Sequence, residues 1–223
     1  NLKMKSLNFA FTTYSWLWDN KLEVSKILLL VLSAILAYQF ISNDLLSILI
    51  YCLGIWLASS SMIQLHRFIL LEKEKSSVKL LVKPSKLDVI YFFAWLAVFM
   101  GERIFERVID NVGSYFESLE IFVIVLSIPL TIYIFGRLYM IFPAISVRKN
   151  LPFAWNLTNK KERVWLTLSS TIIFVIPMYI FIFLVVLVEA PSYLIWTSIF
   201  VNVFFINAHY SHLFKSFTVR RDK

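Results

Sequence analysis

The sequence has little of what catalytic and disulfide-stabilised proteins usually require. Its single cysteine, Cys52, lies in an apolar stretch, so no disulfide can form within the chain. The four glycines are too few for a glycine-rich phosphate-binding loop. Charged residues make up 16% of the chain, against roughly 25% in soluble domains. Zinc, nucleotide and nucleophile motifs are also missing, so the sequence predicts no catalytic residue and no cofactor.

Apolar residues take the place of these groups. They form 59% of the 223 residues, more than one soluble core of this size can bury. Six apolar stretches have roughly the length of a bilayer-spanning helix. They cover residues 24–41, 45–70, 87–109, 119–141, 164–188 and 192–214. The sequence therefore predicts an all-α, polytopic membrane helical bundle with six transmembrane helices arranged as three hairpins.

The basic residues predict the orientation of this bundle. If the N-terminus is inside, only Arg103 and Arg107 of the 22 Lys and Arg residues fall outside. Such a bias follows the positive-inside rule and places both termini in the cytoplasm. The same distribution indicates that the net charge of +8 serves contact with a membrane surface and not with nucleic acid. The expected partners are membrane lipids and a second membrane-protein subunit or another copy of the chain.

The whole chain, residues 1–223, is predicted to form one integral membrane domain. An interfacial N-terminal helix covers residues 1–23, the six-helix bundle residues 24–214, and a basic cytoplasmic tail residues 215–223. The N-terminal helix is expected to be amphipathic, because apolar side chains recur there at helical spacing. These side chains are Met4, Leu7, Phe11, Tyr14 and Trp18. A second short interfacial helix is expected near Pro152, with Asn150 as its cap.

Three histidines are the candidate metal ligands. His209 and His212 lie three residues apart and share a helix face, and His66 lies near the inner end of another helix. If these helices touch, three imidazoles could converge on a metal or haem iron. The competing interpretation is that all three are interface residues.

Other polar residues are also open to two interpretations. Arg137 lies one to two turns inside a predicted span, so its side chain either snorkels to the headgroups, bonds to a neighbouring helix or has a functional role. The serines at 59–61 either pack against another helix or line a polar path. Pro129 and Pro177 are expected to kink their helices.

Two stretches resemble a known family. His66-Arg67-Phe68-Ile69-Leu70 is the first, and Arg137 to Val147 followed by Leu151 to Thr158 is the second. Together they resemble the uncharacterised bacterial inner-membrane proteins of the YciC-like group, whose relatives are sometimes labelled glycerophosphodiesterase membrane domains. The resemblance implies six helices, a bacterial inner-membrane location and no assigned reaction. Pro143 and Trp155 match most clearly; we expect Pro143 to end the fourth helix and Trp155 to anchor a short interfacial helix.

The sequence therefore predicts a non-enzymatic membrane protein, either a scaffold or an accessory subunit of a membrane complex. A component of a lipid or small-solute transporter is the alternative function. A mitochondrial inner membrane is the alternative to the bacterial cytoplasmic membrane.

Overall fold

Helices, joined by short turns and loops, make up the described part of the chain. A computed structural model describes residues 2–41, 44–71, 78, 85–115, 130, 133–134 and 136–219, and no strand occurs among them. The all-α prediction is therefore confirmed for these residues. The helices are α1 (Leu2–Asp19), α2 (Lys21–Phe40), α3 (Asp44–Leu70), α4 (Lys86–Tyr115), α5 (Ile141–Ser146), α6 (Leu151–Leu157), α7 (Lys161–Leu187) and α8 (Ser192–Val219).

Within the described residues, two helices are long and apolar enough to cross a bilayer. They are the 23-residue segment Ile48–Leu70 of α3 and the 27 residues of α7, Lys161–Leu187. Length and composition alone also fit the core helix of a soluble protein, but such a helix is mostly buried. Here only 35% of the most apolar window of α3 and 22% of that of α7 are buried. Most of the predicted span at 119–141, including Pro129, lies outside the described residues.

Helices α2 and α3 form an antiparallel hairpin. The Ser61 hydroxyl of α3 donates a hydrogen bond of 2.9 Å to the Ile27 carbonyl of α2. One and a half to two turns away, a Cβ placed on Gly54 would lie 3.7 Å from the Cβ of Ala34. The small residues Ala34 and Gly54 therefore let the two backbones approach closely.

Helix α1 contacts the rest of the chain through small and polar residues. Ser6, Ala10, Thr13 and Leu17 follow each other at helical spacing and are buried against α7 and α8. The predicted apolar stripe faces outward. Its exposed members are Met4, Leu7, Phe11 and Trp18, with 65%, 44%, 63% and 70% of their surface accessible. Four of the five residues of the predicted stripe are thus turned away from the bundle, whereas the fifth, Tyr14, is half-buried and donates a hydrogen bond to the Phe174 carbonyl of α7.

Pro143 lies in a different position from the one predicted. The helical residues 136–138 end in a turn at Tyr139 and Met140, and α5 begins directly afterwards. Pro143 is the third residue of α5 and is buried there. The first turn of a helix accepts proline, because its backbone nitrogens lack helical acceptors anyway. The prediction that Pro143 ends the fourth helix was therefore wrong.

Two helices end with a non-glycine residue in the left-handed region. Arg148 follows α5 with φ of 60°, and Glu189 follows α7 with φ of 52°. At the end of α7 the Glu189 amide donates to the Val186 carbonyl, and the Ala190 amide to Val185. This pair of bonds is the Schellman arrangement, which normally has glycine at this position.

Replacing Glu189 by glycine should therefore stabilise the fold. We expect Glu189→Gly to raise the free energy of unfolding by about 1 kcal/mol, because a Cβ disfavours the left-handed conformation. Thermal unfolding in mild detergent would measure the gain. Glu189→Ala is the matched control, since it removes the carboxylate but keeps the Cβ; an equal gain in both variants would contradict this explanation.

Candidate functional site

Polar side chains are concentrated in the interior of the described helices. Two groups stand out, and we name them the histidine cluster and the arginine cluster. The histidine cluster comprises Thr13, His66, Tyr91, Ser170, His209 and Ser211, all of them buried. The arginine cluster comprises Tyr133, Arg137, Trp155, Thr158 and Asn159.

His66 connects three helices by hydrogen bonds. Its Nε2 lies 2.8 Å from the Tyr91 hydroxyl of α4, and its Nδ1 contacts the Ser211 hydroxyl of α8. Ser211 in turn donates its hydroxyl proton to the Asn207 carbonyl, 3.0 Å away. His66 must then carry its proton on Nδ1 and accept from Tyr91 on Nε2. The neutral imidazole is thus the middle of a directed chain from Tyr91 to Asn207.

His209 occupies a similar position between α1 and α7. Its Nδ1 lies 3.1 Å from the Thr13 hydroxyl, and its Nε2 lies 3.2 Å from the Ser170 hydroxyl. Its ring stacks on Phe174 with 4.6 Å between centroids and an angle of 8°. Both ring nitrogens therefore have protein partners.

Tyr14 joins α1 to α7 next to a proline. Its hydroxyl donates a 2.6 Å hydrogen bond to the Phe174 carbonyl. Pro177 lies inside α7 and has no amide proton, so the carbonyl four residues before it has no helical donor. Burial raises the pKa of Tyr14, so its hydroxyl stays protonated and able to donate. The side chain thus adds a bond from a neighbouring helix close to the point where the backbone bonding of α7 is interrupted.

The contacts of the histidines do not support a metal centre. The His212 ring meets Trp16 edge-on at 5.3 Å, and its Nε2 is buried with no hydrogen-bond partner in the described part of the chain. His66 and His209 already use both nitrogens on hydroxyl groups. Among the described residues, no group of three His, Cys, Asp or Glu side chains is placed to hold a metal ion. His66 and His209 thus act as hydrogen-bonded bridges between helices.

Arg137 is the centre of the second cluster. Only 6% of its surface is exposed, so the side chain does not snorkel. Its guanidinium donates to the Thr158 hydroxyl at 3.0 Å and to the Tyr133 hydroxyl at 2.9 Å. It also donates to the Trp155 carbonyl and the Asn159 side-chain oxygen. Of the two physical explanations open for Arg137, bonding to a neighbouring segment is the one observed.

The aromatic face of Trp155 supplies the remaining contact of the guanidinium. The Arg137 Cζ lies 3.9 Å from the centroid of the Trp155 ring. All four hydrogen-bond acceptors are neutral oxygens, so the positive charge is compensated by dipoles and by a π face. A desolvated cation–π contact of this kind contributes about 2 kcal/mol. This arrangement holds α6 against the segment that carries Tyr133 and Arg137.

The residues that carry the family resemblance are in contact with each other. Arg137 donates hydrogen bonds to the Trp155 carbonyl and the Thr158 hydroxyl. Arg67 joins the other stretch to the same region, since its Nε donates to the Ser146 carbonyl at 3.0 Å. Pro143 lies within α5 beside this contact and accepts a bond from the Ser146 hydroxyl.

Three basic side chains bind the carbonyl ends of helices. Arg67 donates to the last residue of α5, and Arg163 to the Leu157 carbonyl, which is the last of α6. Lys215 donates to the Ile69 carbonyl near the end of α3, at 3.1 Å. Helix C-termini carry partial negative charge and unpaired carbonyls, which cations stabilise. These contacts bring the ends of α3, α5 and α6 to the segments that carry Arg67, Arg163 and Lys215.

The interior also contains an acidic residue that the sequence analysis did not single out. Asp88 accepts from the backbone amide and hydroxyl of Ser85 and from the hydroxyl of Ser60. The pattern Ser85-x-x-Asp88 is a capping box, so it was available as a signal for the start of α4. Ser60 and Ser61 both bind neighbouring helices, and this favours packing over a polar path for the serine run.

An open groove runs along α1. Its volume is about 590 Å³, and it is lined by Asn8, Phe11, Thr12, Ser15, Trp16 and Asp19. The groove has no titratable group other than Asp19, and it is shallow and open to the outside. Nothing in its lining indicates a chemical reaction.

Comparison with known proteins adds no relative to this picture. No protein-family model, no curated protein and no solved structure matches the chain.

The arginine cluster gives a direct test of its geometry. We expect Arg137→Lys to lower the free energy of unfolding by about 2 kcal/mol, because an ammonium cannot make the forked bonds or lie flat on Trp155. Thermal unfolding in detergent would measure the loss. Arg107→Lys, at an exposed position of α4, is the matched control and should change stability by less than about 0.5 kcal/mol. Equal effects of the two changes would contradict a role for the guanidinium fork.

The bond between Tyr14 and α7 can be tested in the same way. Tyr14→Phe removes only the hydroxyl and should cost about 1 kcal/mol, the usual net value of a hydrogen bond. Tyr179→Phe removes a hydroxyl from an exposed side chain of α7 and should leave the free energy of unfolding nearly unchanged. A neutral Tyr14→Phe would show that the bond to Phe174 does not hold α1 in place.

Proposed function

We propose that the chain is a six-span integral membrane protein that serves as a non-enzymatic scaffold or accessory subunit. The observation that carries this proposal is the distribution of its side chains. Many large apolar side chains of the described helices are exposed, whereas several serine, threonine, asparagine and histidine side chains and Arg137 are buried within an apolar core. Water penalises exposed apolar surface by about 25 cal/mol per Å², so a soluble protein selects the opposite arrangement. Lipid removes that penalty.

Helix α7 gives the strongest support. Large apolar side chains recur along its outward face, from Trp165 near its first residue to Leu187 at its last residue. The exposed members on this face are Trp165, Ile172, Ile176, Tyr179, Phe183 and Leu187. The buried face combines three hydroxyl side chains with three apolar ones: Thr167, Ser170 and Thr171, and Leu166, Phe174 and Met178. A helix whose hydroxyl groups face its neighbours and whose outward face is apolar fits a bilayer.

Helix α1 fits a position at the edge of the bilayer. Its exposed surface has two sides: an apolar side with Met4, Phe11 and Trp18, and a polar side with Asn8 and Asp19. Around the helix axis, the two sides lie less than about 180° apart. Such a division is expected where one side of a helix meets lipid and the other meets headgroups and water.

The basic residues support an inside location for one end of the bundle. Arg67, Arg163 and Lys215 belong to three different predicted inside segments, and each binds a helix end. These contacts keep the cations together on one side, in agreement with the positive-inside pattern. On this basis and on the family resemblance, we propose the bacterial cytoplasmic membrane as the location and a mitochondrial inner membrane as the alternative.

The interior contacts favour a scaffold over a transporter. His66, His209, Arg137 and Asp88 are all engaged by neighbouring helices. In a bilayer such interhelix bonds stabilise the fold by about 0.6 kcal/mol each. A substrate pathway would instead need polar groups turned toward a route across the membrane. The long exposed faces then provide surface for lipid and for a partner subunit or a second copy.

Topology can be tested by cysteine labelling, since Cys52 is the only cysteine of the chain. In a Cys52→Ser background, Lys75→Cys and Lys223→Cys should react with a membrane-impermeant maleimide only after the membrane is opened. Glu189→Cys should react in intact cells. If positions 75 and 223 label from opposite sides, the six-span arrangement is wrong.

The scaffold role has its own test. The native mass of the protein, extracted in mild detergent without cross-linking, should exceed that of one 26.2 kDa chain plus bound lipid. A strictly monomeric protein without a co-purifying subunit would count against a scaffold. Solute or lipid flux in proteoliposomes that depends on the protein would favour the transporter instead.

A further inference from the structure

The cytoplasmic end of α7 combines exposed cations with an exposed apolar face. Lys160 and Lys161 precede the helix body and both are exposed. Trp165 lies one turn after Lys161 on the same face, with 52% of its surface accessible. Ile172 and Ile176 continue this face at helical spacing and are also exposed. In the described part of the chain, about half of the surface of Trp165, Ile172 and Ile176 therefore remains uncovered.

The dimensions of this surface match one leaflet of a bilayer. Trp165 and Ile176 are eleven residues apart, which is about 16 Å along a helix. Half of the hydrocarbon core of a bilayer is about 15 Å thick. When Trp165 lies at the boundary between headgroups and acyl chains, where tryptophan is enriched, Ile176 reaches the midplane. The two lysines then lie at the level of the phosphates.

The charges at this end select the headgroup. Lys160 and Lys161 are free to face the headgroups, whereas the nearby Arg163 already donates to the Leu157 carbonyl. The one acid beside them, Glu162, lies about 100° around the helix from Lys161. Two adjacent ammonium groups above an apolar strip complement an anionic phosphate that carries acyl chains.

We propose that Lys160, Lys161 and Trp165 form a binding site for an anionic phospholipid, with Ile172 and Ile176 along its acyl chain. The inference rests on the proposed membrane location. It goes further by assigning the lipid class and the residues that select it. The ligand is a lipid and not free phosphate, because free phosphate would contact only the two lysines. The apolar strip beside them would then have no partner.

Titration with defined lipids tests this site. The protein in mild detergent is titrated with phosphatidylglycerol or with phosphatidylcholine, and thermal unfolding and native mass are followed. We expect phosphatidylglycerol to raise the unfolding temperature more than phosphatidylcholine, and inorganic phosphate to have no effect. Lys160→Gln with Lys161→Gln should weaken the apparent affinity for phosphatidylglycerol roughly 30-fold, about 5-fold for each lysine near an anionic surface. Its response to phosphatidylcholine should not change.

The matched control removes the same charge elsewhere. Arg103 and Arg107 are exposed on α4, and Arg103→Gln with Arg107→Gln should leave the preference for phosphatidylglycerol intact. Equal weakening by both double variants would overturn the site, because the effect would then follow net charge alone. A full response in the lysine double variant would also overturn it. If that variant does not fold, the two single lysine variants give the same test at about 5-fold each.

The experiment separates this inference from the proposed function. A chain that stays soluble and monodisperse without detergent would refute the membrane location itself. A chain that needs detergent but responds equally to the two lipids would refute only the lipid site.

Discussion

The pairing of buried polar groups is the constraint on which the rest of this structure depends. Where lipid and not water surrounds a helix, an amide, hydroxyl or guanidinium has to find its partner within the protein. Here the partners come from other parts of the chain: His66 receives one from α4 and one from α8, and Arg137 has three of its four acceptors in residues 155–159. Polar contacts thus position the helices beside the apolar core, and many large apolar side chains remain exposed.

The sequence predicted the helices well and the pairing between them only in part. Apolar length indicated α3 and α7, and Asn150 indicated the start of α6, which its side chain caps by accepting from the Phe153 amide. Periodicity also identified the apolar stripe of α1. It could not say which side of α1 meets the bundle, because a stripe of Met4, Phe11 and Trp18 is equally compatible with a protein core and with lipid.

The candidate sites show a similar limit. Arg137, Trp155 and Arg67 were identifiable because charge and tryptophan are conspicuous in an apolar sequence, and the structure brings Arg137 and Trp155 into contact. Tyr91, Thr13 and Ser170 gave no such signal, since a hydroxyl on an apolar helix has no pattern of its own. The three histidines did share a region, but hydroxyl groups occupy the ring nitrogens of two of them. Spacing along one helix does not reveal which atoms a neighbouring helix presents.

The contacts of α1 impose an order on assembly. Ser6 meets Ser169, and Thr13 meets His209, so the partners lie 163 and 196 residues further along the chain. Helix α1 is therefore synthesised before α7 and α8, the two helices that bind it, are available. If the chain lies in the membrane as proposed, the apolar side of α1 rests on the lipid during that interval while Ser6 and Thr13 remain hydrated. Docking of α1 then follows the synthesis of α8.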